Sequence, residues 1–573
     1  MPALTHLFAT PDDQPRRPVP AAPPTTTQPW WSRPVNRPTV AAIVVLLPAA
    51  LGVLLYFRSL SNGFAYDDIP VIPDNDWVHH GKVLRDALSL PYWPNGALYR
   101  PLTSFTYGLD WLLGGGQPLL FHAVNVALYA LAVALVAGLV LRLASPVAAL
   151  VAATLFAVHP THVEAVANVV GRAELLATLC LLGVALVATN KGPVDTRRLL
   201  GVGLLSALAL ASKETGAVAP LIAWSSTLLR PTPPTDRAPG DVRRTTIASA
   251  LGVALLLALR YVVLGTFAGD SPHAAFTLAT PAQAVALALS TIPRAAKLLF
   301  YPSLPRIDYS PTALALLHPD PALVAVGALL LLVGAAAFLL HARRPTPLTW
   351  ALIFAAATFA PVSNLAIHTG VVLADRNLFA PSVGATLLLG LAAAALVSPP
   401  VRPQPLWALF TTVTLGSWAI SGYASSASTI PLWHDNTTIF TAMRDRAPTS
   451  YRGYYLLAKE LRATGPSADA QTDYATAIKL FDHDAGLLYD AGVNAVGLHD
   501  TADALAWLGQ AVQVSANQRR ARTTLALLEI HRSETAAARK LLADGLVLEP
   551  DQILWKKLAD SLDRSAPPPA PKQ

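Results

Sequence analysis

"AAIVVLLPAALGVLLYFRSLSNGFAYDDIP", residues 41–70, runs from an unbroken apolar stretch into two adjacent carboxylates, Asp67 and Asp68. The apolar part, read as residues 39–57, has the length and composition of a helix that crosses a bilayer. Charge near the end of such a helix is costly, so a pair of aspartates there calls for a chemical reason.

The rest of the chain repeats the apolar theme. Of its 573 residues, 53% are apolar and only 13% charged, with a mean hydropathy of +0.44. Soluble domains carry roughly 25% charged residues. The fold class expected is therefore all-α, a polytopic membrane helical bundle. Apolar stretches near 39–57, 118–141, 145–158, 174–189, 199–212, 216–229, 245–264, 320–341, 348–360, 379–397 and 404–423 predict about eleven spans. Several are shorter than the ~20 residues of a perpendicular crossing. Those helices must extend through flanking polar residues into protein-lined space. The one cysteine, Cys180, lies inside an apolar run, which excludes a disulfide framework and a thiolate metal site. The net charge of +7 comes from basic residues scattered in short loops, a pattern of membrane topology and not of nucleic-acid binding.

Residues 1–38 are polar and Pro-rich, carry Arg16, Arg17, Arg33 and Arg37, and lack the pattern of a cleavable signal. They are expected to form a disordered cytoplasmic tail. With the N-terminus inside, the inner connections hold Arg142, "NKGPVDTRR" (190–198), "RPTPPTDRAPGDVRR" (230–244), "HARRPTP" (341–347) and "SPPVRPQP" (398–405), all basic or net basic. The opposite face then collects "YDD" (66–68), "HPTHVEAV" (159–166), "GRAE" (171–174), "SKETG" (212–216) and "HTGVVLADR" (368–376). Any one of these groups alone is best read as a polar helix end. Five clusters converging on one face point to function.

Two outer loops are long. Residues 58–117 are rich in aromatics and proline, and "TPAQAVALALSTIPRAAKLLFYP" (280–302) predicts an interfacial helix broken by proline. Membrane domain 39–424 is expected to pass through a linker, 425–447, into a charged, Ala-rich helical region, 448–563, with a short disordered tail at 564–573. That region repeats with a period of 34. Ala458, Gly492 and Ala526 form one column; Ala470, Ala504 and Ala538 a second; Tyr474, Leu508 and Leu542 a third; Ala477, Ala511 and Gly545 a fourth. This is the spacing of a tetratricopeptide-repeat α-solenoid, whose concave face binds extended peptide or another protein.

The motifs "YDD", "YRPLTSFTYGLDWLLGGGQPLLFHAVNVALY" (99–129), "LFAVHPTHVEAVANVVGRAELLA" (155–177), "SKETG" and "LADRNLFAPSVG" (373–384), followed by those repeats, resemble the transmembrane and tetratricopeptide-repeat O-mannosyltransferases over nearly the whole chain. The resemblance implies a GT-C-like membrane glycosyltransferase. Such an enzyme takes a sugar, in that family mannose, from a polyprenyl-phosphate donor and places it on Ser or Thr hydroxyls of a protein outside the cytoplasm. Where the family has Lys-Glu-Gln-Gly this chain has Lys213-Glu214-Thr215-Gly216, and Ala-Glu-Arg becomes Ala374-Asp375-Arg376.

Such a transfer needs a base at the acceptor hydroxyl and cationic or hydrogen-bonding groups around the departing phosphate. The resemblance assigns the base to Asp67. Asp68 is expected to orient it or to share a divalent cation with it, Mg²⁺ or Mn²⁺. Arg100 and Arg376 suit phosphate, and Lys213, neutralised by Glu214, is a weaker third. His159, His162 and Glu164 lack the spacing of a zinc-peptidase helix and are expected to bond phosphate or sugar hydroxyls. Arg172 and Glu174 are expected to pair with each other. A secondary transporter would hold its charges at the bilayer midplane and show inverted repeats, and neither pattern is present. A non-catalytic scaffold that presents the repeats is the remaining alternative.

Overall fold

In a computed structural model, residues 38–564 are described except 95, 97, 232–237, 239, 268–272, 302, 311–317 and 398–403. The two tails expected to be disordered lie, but for Pro38 and Arg564, outside the described residues, as does most of the connection 398–405. Among the described residues the structure is all helical, with no strand.

Helices of eight residues or more are numbered here. The membrane half holds α1 (Pro38–Tyr56), α2 (Pro101–Gly114), α3 (Pro118–Leu143), α4 (Pro146–Ala157), α5 (Arg172–Ala188), α6 (Thr196–Ser212) and α7 (Ala219–Leu228). It continues through α8 (Asp241–Leu264), α9 (Pro281–Phe300), α10 (Pro321–Arg343), α11 (Pro347–Phe359), α12 (Phe379–Val397) and α13 (Gln404–Thr429). Every apolar stretch expected to cross is helical, but they are not equal. Among the described residues six helices are long and apolar enough to span a membrane, or seven if α4 and the segment Pro160–Val166, bent by 51°, make one broken span. Pro160 removes an amide donor and forces that break. Helix α11 is apolar but short. Eleven is therefore the number of apolar stretches, while length and composition qualify six or seven.

Helix α3 packs against α1, α4 and α5, and α12 packs against α4 and α11. Hydrocarbon gives helices no hydrophobic reason to associate, so they gain by close contact at small residues. A Cβ at Gly390 would lie 2.4 Å from the carbonyl oxygen of Ala148, so only glycine allows α12 to approach α4 there. One buried cation in this half is fully partnered. Arg172 at the start of α5 meets Asp110 of α2 at 2.6 Å and donates to Asn125 Oδ1 and the Phe121 carbonyl, at 2.8 and 2.9 Å. This corrects the expected Arg172–Glu174 pair.

The stretch expected as a linker is helical. Helix α13 runs to Thr429, a 3₁₀ turn covers Ile430–His434, and α14 covers Asn436–Arg446. Seven helices follow: α15 (Tyr451–Leu461), α16 (Ala468–Leu480), α17 (Ala485–Gly497), α18 (Thr501–Val514), α19 (Arg519–His531), α20 (Thr535–Leu548) and α21 (Ile553–Arg564). Tyr451, Ala485, Arg519 and Ile553 begin helices at intervals of 34 residues. All four repeating columns are buried, with the bulky third column filling the space left by the small residues of the others. The first of these helices share a core with the segment ahead of α9 and with α9 itself, through Phe276, Ala284 and Leu287 against Tyr451, Tyr474 and Phe481. The amphipathic helix expected at an interface thus meets the C-terminal helices along its first turns.

Candidate active site

The loop after α1 is shaped by contacts that precede the aspartates. Asn62 donates to the Ile430 carbonyl at 3.1 Å, and the Gly63 amide to the His434 carbonyl at 3.0 Å. A Cβ at Gly63 would stand 2.9 Å from that same oxygen, so the approach requires glycine. Tyr66 then turns the chain with φ = 55°. A bulky residue in the left-handed region costs on the order of 1–3 kcal/mol, and its surroundings must hold it there. They do: its amide donates to Asn436 Oδ1 at 2.7 Å, and its ring stands edge-on to Phe440.

This turn sends Asp67 and Asp68 to different places. Asp68 is buried and accepts three backbone N–H bonds, from Ala65 and Val169 at 3.3 Å and from Val170 at 2.8 Å. Burial pushes its carboxyl up to about 7, against the three amides. It staples the loop to the turn before α5. Asp68→Asn is expected to lower stability by about 1–3 kcal/mol, because an amide NH₂ would face an N–H donor. A carboxyl raised above its unfolded value contributes stability that is full below the unfolded value and lost as pH rises through about 7. Thermal unfolding from pH 5 to 8 should show that loss in the parent and not in the variant.

Asp67 Oδ2 instead accepts from Arg376 Nη1 at 3.0 Å. The same Nη1 lies 3.1 Å from Glu164 Oε1, and the Arg376 amide donates to Glu164 Oε2 at 2.9 Å. Three segments far apart in the sequence therefore meet at one guanidinium. Among the described residues these side-chain contacts all use Nη1, and both Arg376 and Asp67 keep about a fifth of their side-chain surface exposed, 20% and 19%. The group is thus held and still reachable.

A second cluster surrounds Glu214. Arg100 Nη2 reaches its Oε2 at 2.7 Å and Nε at 3.2 Å, and Arg260 approaches Oε1 at 3.5 Å. Burial alone would raise the Glu214 carboxyl, but Arg100 overrides it and holds it down at about 2. The Arg100 guanidinium also lies over the Tyr92 ring, 4.9 Å from its centre. Lys213 is not paired with Glu214, as the sequence had suggested. Its ammonium is buried against Glu174 and Asn377 Oδ1. The charges of Arg100, Arg376, Glu214 and Glu164 all act on Lys213, so the two clusters are electrostatic neighbours.

In amino-acid sequence the chain is similar to several named protein O-mannosyl-transferases. Tmtc1 of Drosophila melanogaster is 36% identical over 194 residues, 32% of this chain and 22% of that protein. A Caenorhabditis elegans protein O-mannosyl-transferase is 27% identical over 453 residues, 76% of this chain and 62% of that one. Human TMTC4 is 28% identical over 490 residues, 73% of this chain and 64% of its own. Over about three quarters of its length the chain is thus similar to named protein O-mannosyl-transferases. It matches about a fifth of the length of the Drosophila relative. No protein-family profile matches it.

Placed on the structure, the residues singled out in the sequence divide. Asp67, Glu164 and Arg376 come together, and Arg100 stands in the neighbouring cluster. His159 and His162, expected at the substrate, are fully buried. His159 bonds the Leu299 carbonyl and Thr161, and His162 bonds Tyr129 and Ser382, so all four ring nitrogens are occupied within the protein. That corrects their expected role: they belong to the core. The buried Lys213 is likewise committed to protein partners. The residues do not fit the divalent cation expected at Asp67 and Asp68, since Asp68 is turned onto backbone amides and Asp67 onto a guanidinium. Among the described residues no three His, Cys, Asp or Glu gather to hold a metal ion.

Arg260 was missed by sequence reading although it had a signal, a lone charge inside the apolar run of α8. Tyr66, Arg452 and Asp308 were missed as well. Tyr66 stands beside the aspartates, but nothing local marks the other two.

Proposed function

We propose that the chain is a membrane glycosyltransferase that moves a sugar, mannose by kinship, from a polyprenyl-phosphate donor to Ser or Thr hydroxyls of a protein outside the cytoplasm. The observation that carries this reading is the meeting of Asp67 with Arg376 and Glu164. It sets a partly exposed carboxylate beside a partly exposed guanidinium, close to the ends of apolar helices. Asp67 takes the proton of the acceptor hydroxyl as its oxygen bonds to the anomeric carbon. The bond from that carbon to the phosphate oxygen breaks, and polyprenyl phosphate leaves with the electron pair. Arg376 bonds the departing phosphate, with Arg100 adding positive charge from its own cluster. Glu164 anchors Arg376 by both its main chain and its side chain, which leaves the guanidinium oriented before the donor arrives.

The C-terminal helices, read as a tetratricopeptide-type solenoid, would present the acceptor polypeptide. Incubating the purified chain with polyprenyl-phosphate mannose and a Ser/Thr-rich peptide is expected to release polyprenyl phosphate and glycosylate the peptide. Intact donor after prolonged incubation with a panel of polyprenyl-phosphate sugars would refute the reading. Sidedness has its own test, motivated by the basic inner connections and the acidic outer ones. A reporter active only outside the cytoplasm should work when fused after residue 573 and stay silent when inserted near residue 195. The reverse pattern would invert the topology.

A further inference from the structure

Arg452, in the first turn of α15, stands where the C-terminal helices meet segments next to both halves of the Asp67–Arg376 pair. On one side its Nη2 donates to the hydroxyl of Tyr66 at 2.7 Å, and Tyr66 is the residue before Asp67. On the other side its Nε lies 3.8 Å from Asp308 Oδ1, and the next residue, Tyr309, donates its hydroxyl to Asp375 Oδ1 at 2.7 Å. Asp375 is the residue before Arg376. Two short chains of contacts thus leave one guanidinium and end on the immediate neighbours of the two groups that matter. Ser450 also bonds Asp308, and Ser310 closes onto it through its amide and hydroxyl, so Asp308 is a fixed post and not a loose counter-ion.

The Tyr66 backbone gives the first chain its significance. A tyrosine at φ = 55° relaxes unless it is held, and its holds come from residues 436–452: the Asn436 side chain on its amide, Phe440 against its ring and Arg452 on its hydroxyl. All three belong to the helices that follow the last membrane-half helix. The residue before Asp67, whose carboxylate accepts from Arg376, is thus held from the C-terminal side.

We propose that Arg452 is a positioning residue that sets the Asp67–Arg376 geometry from the C-terminal helical array, through Tyr66 on one branch and Asp308 on the other. It touches neither reacting group. The catalytic consequence rests on the function proposed above, whereas the mechanical coupling does not. A helix that also begins the acceptor-presenting array is in this way tied directly to the base.

Two measurements on the full chain in lipid nanodiscs test this. In hydrogen exchange, Arg452→Ala should speed exchange over residues 62–71 and 373–378 while leaving 172–188 unchanged. In the polyprenyl-phosphate mannose assay, Arg452→Ala should lower kcat by roughly 10- to 100-fold, the scale of a misplaced catalytic group, with the donor KM within about twofold. Tyr66→Phe keeps the ring on Phe440 and removes only the hydroxyl, so it should lower kcat in the same direction. The double variant should be no worse than the poorer single one, since both changes cut one chain of contacts. Arg452→Lys should recover part of the rate. Unchanged exchange over 62–71 and 373–378 would overturn the proposal whatever the activity. So would an unchanged kcat in Arg452→Ala, or multiplicative losses in the double variant. If the parent chain transfers no sugar, the functional reading fails by itself, and the exchange measurement still decides the coupling.

Discussion

Asp67→Asn is expected to reduce sugar transfer by roughly 10²- to 10⁴-fold, the usual worth of a general base. Donor binding should change little. The amide oxygen of asparagine can still accept from Arg376 Nη1, which now holds the carboxylate at 3.0 Å, so the cation stays where the phosphate would meet it. What is lost is the capacity to take a proton from the acceptor hydroxyl. Single-turnover release of polyprenyl phosphate, read beside equilibrium donor binding on the same preparation, separates the two effects. Near-normal turnover would move the base to Glu164, the other carboxylate on Arg376. It would not move it to Asp68, both of whose oxygens accept backbone N–H bonds.

Arg376→Ala is expected to raise the donor's dissociation constant by about one to two orders of magnitude, since hydrogen bonds to a charged group contribute roughly 1.5–3 kcal/mol. It should also destabilise the protein by about 3–5 kcal/mol, because it leaves two largely buried carboxylates, Asp67 and Glu164, without their cation. Arg376→Lys keeps the charge and loses the planar fork, so it should recover only part of either effect. The double change Arg376→Ala with Glu164→Gln tells the two roles apart. Removing the stranded charge should restore much of the stability and none of the donor affinity. Donor affinity unchanged in Arg376→Ala, with stability reduced, would make Arg376 a structural ion-pair residue and end the phosphate assignment.

Much of this protein follows from local rules. Hydropathy is a property of consecutive residues, so each apolar stretch became a helix, and the membrane class needed nothing more. Helical periodicity is local too, so the 34-residue columns were legible as buried positions before any packing was known. The motifs that meet in the candidate site were visible for the same reason: charge at the edge of an apolar run stands out in one dimension.

Partnership is not local, and there only the tertiary structure decided. Arg172 and Glu174 are two apart at the start of α5, and side chains at that spacing do not face each other. Arg172 therefore turns to Asp110 and Glu174 to Lys213. Lys213 and Glu214 are adjacent, yet α6 ends at Ser212 and a 3₁₀ turn begins at Glu214, and Glu214 meets Arg100 and Arg260 instead. Composition cannot tell a buried histidine from a ligand-facing one, and His159 and His162 were separated from the site only by the packing of α4 and its bent continuation against their neighbours. The left-handed turn at Tyr66 divided Asp67 from Asp68, giving one carboxylate to a guanidinium and the other to backbone amides. The amino-acid sequence determined which residues carry charge to the ends of the helices. Which of those charges meet depended on contacts between residues as far apart as Asp67 and Arg376, and those contacts exist only after the helices have packed.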